Sequence, residues 1–333
     1  MKFKSAFLGN TSCQVTDLGL GTAPLGGLYS PVSDESAFAT LEAAWSSGVR
    51  FFDTAPQYGN GLSEKRLGQF LKDKPRDQYV LATKVGRLLR VPDQPQGEDA
   101  YYKGTPPERP VFDFSYDGVM RSFEESLRRL GMDRIDILHI HDPDDHYMQA
   151  IEGAYKALDY LRSSGVIQAV GAGMNQSEML AEFARNGAFD CFLLAGRYTL
   201  LEQRALDALF PVCEERNISI IAAGVYNSGI LADPRGNAKF NYADADPLLV
   251  KSALGIEAIC NQYGVPLKAA AIQFAAAHPV VATTLTGARD AAEIQENLDM
   301  YSFPVPCEVW DSLKRAGYIA EGAPVPTTPN SRA

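Results

Sequence analysis

The sequence predicts an α/β protein: a closed (β/α)8 barrel in one domain, 1–333, with long loops at its C-terminal mouth. Three observations predict it. Eight short β-rich apolar runs alternate with longer amphipathic stretches along the 333 residues. Alternation of this kind gives a parallel sheet with right-handed crossovers. The rival is a doubly wound open sheet, which would want a G-x-G-x-x-G turn after its first strand. Gly19-Leu20-Gly21-Thr22-Ala23-Pro24 does not have that spacing, and Pro24 would interrupt a phosphate-cradling helix start. No low-complexity linker divides the chain, and barrels often exceed about 250 residues as one domain.

The predicted strands, in order, are Leu18–Gly21, Arg50–Asp53, Tyr79–Lys84, Ile135–His141, Gln168–Gly173, Cys191–Ala195, Ser219–Ala223 and Val280–Thr286. Helical periodicity follows each one. Ser33–Ser47 opens on a capping serine with an acidic first turn and stops before Gly48. Tyr116–Leu130 ends before Gly131, with Arg128 and Arg129 where cations suit the helix dipole. Asp145–Ser164 stops at Gly165, Ser177–Asn186 at Gly187, and Glu202–Arg216 at Asn217.

Three stretches break the repeat. Gly86–Asp113 carries Pro92, Pro95, Pro106, Pro107 and Pro110, together with Tyr101, Tyr102 and Phe112, and Phe114 follows directly. Val225–Pro247 carries Gly229, Pro234 and Gly236. Both follow strands, which puts them at the mouth of a barrel, where active sites form. The first reads either as a self-packed loop or as an aromatic wall over a substrate. The tail 322–333 reads as frayed beyond a structured barrel of about 15–318.

Composition removes several function classes. Thirty-one Lys and Arg against forty-one Asp and Glu leave a net charge of −10, which disfavours a general nucleic-acid binder. No apolar run approaches the roughly 18–20 residues of a membrane helix. Met1–Asn10 lacks the apolar region of a secretory signal, so a cytoplasmic location is expected. The five cysteines are odd in number and widely spaced, without C-x-x-C. They read as buried small hydrophobes in a reducing compartment, with no disulfide framework and no metal site.

Four polar residues fall at or just past the ends of neighbouring strands: Asp53, Tyr58, Lys84 and His141. Taken singly, the aspartate would cap a helix and the lysine would snorkel. Taken together they can meet at one rim. The acid and lysine form an ion pair, the lysine lowers the tyrosine's pKa, and the histidine hydrogen-bonds a reacting oxygen. His139 alternates with His141, so one of the two is expected to face the helix layer. His139 is read as that structural one, satisfied by a backbone group.

Phe51-Phe52-Asp53-Thr54-Ala55-Pro56-Gln57-Tyr58-Gly59, followed by Ser63-Glu64-Lys65-Arg66-Leu67-Gly68, resembles the aldo-keto reductase family. So do Thr83-Lys84-Val85-Gly86, the segment ending in His141, and Gly287-Ala288-Arg289 with Glu296-Asn297-Leu298. The resemblance runs from about Leu18 to Leu313. Gly171-Ala172-Gly173-Met174-Asn175 is similar to a bacterial branch that oxidises aldoses and pyridoxal.

The resemblance implies an oxidoreductase with an extended nicotinamide cofactor across the barrel mouth. Tyr58 would transfer the proton, Lys84 tune it, Asp53 hold Lys84, and His141 orient the substrate oxygen. Gly21 and Thr22 would border the cofactor, Tyr226 would stack on the nicotinamide, and Asn227, Ser228, Gly229 and Leu231 would cover the pyrophosphate. The family usually places a Ser-Asn pair and a Gln on the carboxamide. Those places are Gly173-Met174 and Ala195, so Asn175, by a one-residue shift, or Arg197 takes that task. NADP-using relatives set a Lys and an Arg against the 2′-phosphate, where this chain has Gly287 and Glu293. That favours NAD, with Arg289 as the complication and Asn297 on the adenine edge.

The implied reaction is NAD-dependent oxidation of a cyclic hemiacetal to a lactone, on an aldose such as L-fucose, L-galactose or D-arabinose. Asp142, His146, Tyr101 and Tyr102 are available to the substrate. Pyridoxal, which also forms a cyclic hemiacetal, is the alternative, giving 4-pyridoxolactone. An NADPH-dependent carbonyl reductase and a non-catalytic channel-associated subunit are the further alternatives. Relatives are commonly monomers or small homo-oligomers.

Overall fold

The computed structural model describes residues 3–94, 96–236, 239–241 and 243–327. Eight parallel strands close into a barrel in chain order. They are β1 Leu18–Gly21, β2 Phe51–Asp53, β3 Val80–Val85, β4 Ile137–His141, β5 Ala169–Met174, β6 Cys191–Ala195, β7 Ser219–Ala223 and β8 Val281–Gly287. β8 closes on β1 through Gly287 opposite Gly21. Each lies within two residues of its expected position.

The alternation of side chains divides the core in two. Phe51, Ala82, Ile137, Ala169, Cys191, Leu193, Ile221 and Leu285 point inward and fill the barrel. Their neighbours Phe52, Leu81, Leu138, Val170 and Phe192 point outward under the helices. Phe52 meets Tyr79 edge-on at 6.5 Å and stacks on Trp45 at 6.4 Å. Burying an aromatic of this size contributes about 1.5–3 kcal/mol. The N-terminal end of the barrel is plugged by a hairpin, Ser5–Phe7 with Gln14–Thr16. It drops Leu8, Cys13 and Val15 onto the inner core.

The helices are α1 Asp34–Ser46, α2 Leu62–Leu71, α3 Tyr116–Leu130, α4 Tyr155–Ser163, α5 Glu178–Asn186, α6 Leu209–Arg216, α7 Pro247–Gln262, α8 Leu267–Ala276, α9 Ala291–Tyr301 and α10 Cys307–Arg315. Ser33 caps α1 by accepting from the Ser36 amide at 3.1 Å, and Ser115 caps α3 by accepting from Gly118. The expected helix from Asp145 starts at Tyr147 and passes through a π-helical stretch, Ala150–Ala154, before α4. The expected helix from Glu202 begins only at Leu209. Thr199 Oγ1 accepts from the amides of Leu201 and Glu202, and Gln203 bonds to the Tyr318 carbonyl and the Ala320 amide. Those bonds pin the C-terminal stretch and compete with helix formation.

The connection after β3 is ordered by an antiparallel hairpin, Arg87–Arg90 with Arg109–Phe112. The chain turns into it at Gly86 (φ +98°), where a Cβ would lie 2.1 Å from the Phe114 ring. The connection after β7 contains a 3-10 turn, Asn227–Gly229, and a short hairpin, Lys239–Phe240 with Ala243–Asp244. The expected fraying does not extend to 322–327: Ala323 is buried and Val325 packs on the core. Residues 328–333 and Pro95 lie outside the described residues. Cys13, Cys191, Cys213 and Cys260 are buried, and Cys307 is exposed. No described helix is long and apolar enough to cross a membrane, and no metal-binding cluster occurs among the described residues.

Candidate active site

Parallel pairing brings the ends of β2, β3 and β4 side by side, with Asp53 opposite Ala82 and Lys84 opposite His139. Lys84 Nζ donates to Asp53 Oδ2 at 2.6 Å and to the Thr54 carbonyl at 2.9 Å. Burial pushes the Asp53 carboxyl up, and the Lys84 ammonium opposes that push. Tyr58 follows β2 by a short loop, and its ring centroid lies 4.6 Å from Lys84 Nζ. The His141 ring approaches Tyr58 edge-on at 6.0 Å. Burial, then the Arg87 and Lys84 charges, hold His141 well below the usual imidazole range, so its ring is neutral.

A layer of hydroxyls fixes this arrangement from behind. Ser63 Oγ lies 2.7 Å from Thr22 Oγ1 and 3.1 Å from Thr54 Oγ1, and Thr22 Oγ1 donates to the Asp53 carbonyl at 2.9 Å. Thr22 is fully buried in this network. Its hydroxyl therefore holds the Asp53 backbone. Buried Glu64 accepts from Thr83 Oγ1 and pairs with Arg129, which anchors α2 to β3 next to Lys84.

Tyr58, Lys84 and His141 line one pocket of about 240 Å³. Tyr101, Tyr102, Asp142 and Asn175 line it too, as do Gly173, Met174 and Ala195. Tyr102 stacks obliquely on Tyr58 at 6.2 Å, so the loop after β3 forms an aromatic wall. His146 stands apart. Its ring packs at 5.4 Å from both Phe112 and Phe114, and it is not among the lining residues. Phe114 is core, with no exposed surface. Arg87, Leu28, Gln57 and Leu193 also line the pocket, and none of them is among the site residues expected from the sequence. Arg87 had one available signal, its place directly after the strand-end Lys84-Val85-Gly86.

His139 does not face the helices. Residues two apart share a face of a strand, so Ile137, His139 and His141 all point into the barrel. The His139 ring lies over Gly171, where a Cβ would come within 2.2 Å of Nδ1. Neither ring nitrogen has a partner among the described residues, so no backbone group satisfies it. Burial, then Lys84, lowers its pKa to about 3.

Across the mouth, the Tyr226 hydroxyl donates to Asn297 Oδ1 at 3.1 Å, and Asn297 Nδ2 donates to the Gly287 carbonyl at 3.2 Å. The Asn297 amide thus ties the loop after β7 to the end of β8. Asn227 and Ser228 sit at φ +47° and +58°, a costly conformation for residues with a Cβ. Asn227 Nδ2 donates to the Gly196 carbonyl, whereas its buried Oδ1 has no partner among the described residues. Leu231 is fully buried, and Arg197 bonds to Asn241 and the Gly196 carbonyl. The Glu293 carboxylate accepts from Arg289 Nη2 at 2.6 Å, from Nε at 3.0 Å and from the Arg289 amide at 2.8 Å.

A model of the Aldo/keto reductase family matches residues 17–317. Pyridoxal 4-dehydrogenase of Microbacterium luteolum is 43% identical over 334 residues, covering 94% of this chain and 97% of that protein. D-threo-aldose 1-dehydrogenase of a Pseudomonas species is 42% identical over 309 residues, covering 91% and 94%. A solved aldo-keto reductase from Bacillus halodurans, in its holo form, superposes with a TM-score of 0.74 at 24% identity, covering 94% of this chain and 96% of that one.

Proposed function

The chain belongs to the aldo/keto reductase family and is an oxidoreductase, and on that premise we propose that it is an NAD-dependent dehydrogenase oxidising a cyclic hemiacetal to a lactone. One observation carries the reading: the Tyr58 ring beside the Lys84 ammonium and the His141 edge, at the wall of one pocket. The similarity to an aldose dehydrogenase and to a pyridoxal dehydrogenase sets the substrate class, since both substrates close to hemiacetals.

The residues present fit a nicotinamide dinucleotide. The buried, unpartnered Asn227 Oδ1 asks for a donor, which a ribose hydroxyl of the dinucleotide has and its pyrophosphate lacks, and the strained turn at Asn227 and Ser228 is the kind of backbone that functional sites retain. The Tyr226 ring, held by Asn297, offers a fixed flat face for stacking. Asn175 lines the pocket and takes the carboxamide task that Ala195 cannot. Gly21, Gly229 and Gly287 would border the dinucleotide. Arg289 is engaged by Glu293, which supports NAD, because a 2′-phosphate would have to displace a carboxylate from its guanidinium.

In this mechanism the nicotinamide, when bound, supplies the hydride acceptor. Tyr58 as phenolate takes the proton of the anomeric hydroxyl as the C–H bond breaks and the lactone carbonyl forms. Lys84 stabilises the phenolate, and Asp53 keeps the ammonium in place. Neutral His141 donates a hydrogen bond to the reacting oxygen. The tyrosine wall excludes water from one side of the pocket. A cytoplasmic enzyme acting on a small molecule fits this reading.

The deciding experiment is a panel of L-fucose, L-galactose, D-arabinose and pyridoxal, each with NAD and with NADP. Lactone formation with NAD on at least one of them is expected. Turnover of none, alongside NADPH-dependent reduction of simple aldehydes, would replace this reading with the carbonyl reductase.

A further inference from the structure

The pocket holds an ion pair that the mechanism above leaves unused. Arg87 Nη2 donates to Asp142 Oδ2 at 2.7 Å, and both residues line the pocket with Tyr58, Lys84 and His141. Arg87 is only 8% exposed. It follows the turn at Gly86, and its hairpin partner Phe112 covers the guanidinium, with the ring centroid 5.1 Å from Cζ. One edge of the guanidinium is occupied by Asp142, while Nε is buried and has no partner among the described residues. A buried guanidinium donor without an acceptor costs free energy unless a ligand or water supplies one.

Asp142 carries a second mark. Its φ is +40°, in the left-handed region that an aspartate adopts at a cost. The conformation is held by its amide, which donates to the Gly173 carbonyl at 3.0 Å. Its Oδ2 lies 3.5 Å from His141 Nε2. The pair is therefore a fixed donor fork joined to a fixed acceptor, one side chain away from the group that would bind the reacting oxygen.

A hydroxyl both donates and accepts, and it matches such a pair in a way that a carbonyl, an ether or a methyl does not. We infer that Arg87 and Asp142 bind the hydroxyl on the carbon next to the reacting one, so that the enzyme selects aldoses with a free 2-hydroxyl. Arg87 donates to that oxygen and Asp142 accepts its proton. This rests on the lactone-forming reading above. The carboxylate is also a poor neighbour for an ionised phenolic oxygen, which sets pyridoxal below the sugars.

The test compares kcat/KM with NAD for L-fucose and D-arabinose, each against its 2-deoxy analogue, with pyridoxal alongside. The wild-type enzyme is expected to prefer the 2-hydroxylated sugar by about 10²-fold or more, because the analogue leaves buried polar groups unpaired. Arg87→Met should reduce that preference to about fivefold or less, while NAD binding, read by quenching of protein fluorescence, stays within about twofold. Arg87→Met strands the Asp142 charge, so Arg87→Met/Asp142→Asn is measured as well and should show the same loss if the single variant fails to fold. Unchanged preference in the folded variant, equal use of the 2-deoxy sugars by the wild type, or turnover of pyridoxal alone would overturn the inference and leave lactone formation standing. Turnover of no hemiacetal would remove both.

Discussion

Lys84 Nζ lies 2.6 Å from Asp53 Oδ2, and each side chain is only 1% exposed. A pair this deeply buried gains little over well-packed apolar side chains, yet removing one member leaves a charge that water cannot reach. Asp53→Asn is therefore expected to lower the unfolding free energy by about 3 kcal/mol in urea titrations. The double change Asp53→Leu/Lys84→Met should lose less stability than the single one while abolishing activity. A single change as mild as a surface substitution would show that water reaches this pair.

Tyr58 is the group placed to move a proton, with its ring between Lys84, His141 and Tyr102. Tyr58→Phe keeps the ring and deletes the hydroxyl. Its kcat should fall by about 10²–10⁴-fold, the usual yield of a positioned acid or base. NAD affinity should not change. Wild-type turnover in Tyr58→Phe would remove this tyrosine from the chemistry.

The Arg289 guanidinium is held by Glu293 through two nitrogens, and the same carboxylate takes the Arg289 amide. Glu293→Gln removes the charge and releases the guanidinium toward a 2′-phosphate. The kcat/KM with NADP is expected to rise about tenfold, equivalent to ~1.4 kcal/mol, with little change for NAD. A parallel change for both cofactors would place the 2′ position elsewhere.

How far the sequence reached depends on the range of each signal. The strands were legible because a short apolar run between turn residues is a local pattern, and eight of them admit few topologies. Asp53, Lys84 and His141 were legible because the ends of adjacent parallel strands meet. Arg87 was not, because its burial comes from the hairpin partner Phe112, which lies twenty-five residues further along the chain. The bonds of the Thr22 hydroxyl to Ser63 and the Asp53 carbonyl are not legible either, because both partners lie more than thirty residues away. The helix α6 starts later than its periodicity suggests because Gln203 is held by Tyr318 and Ala320, more than a hundred residues away. The N-terminal hairpin, with strands of three residues each, is too short to carry a readable period.

His139 tests the consequence of sharing a face with His141. Folded, its imidazole takes a proton only near about 3, because burial and Lys84 both oppose the charge. His141 is lowered in the same direction. In the unfolded chain both rings ionise near about 6.5. Below that pH the unfolded state binds protons that the native state refuses, so acid favours unfolding. The stability the neutral His139 ring provides is complete above about 6.5 and falls as pH drops toward about 3, at up to ~1.4 kcal/mol per pH unit, and His141 acts in the same direction. His139→Gln keeps a neutral polar side chain over Gly171 and removes one titration. Its urea midpoint should therefore fall less steeply than that of the wild type between pH 6.5 and 4. Equal slopes would mean that the His139 ring is protonated in the native barrel, and that something inside the barrel accepts its hydrogens.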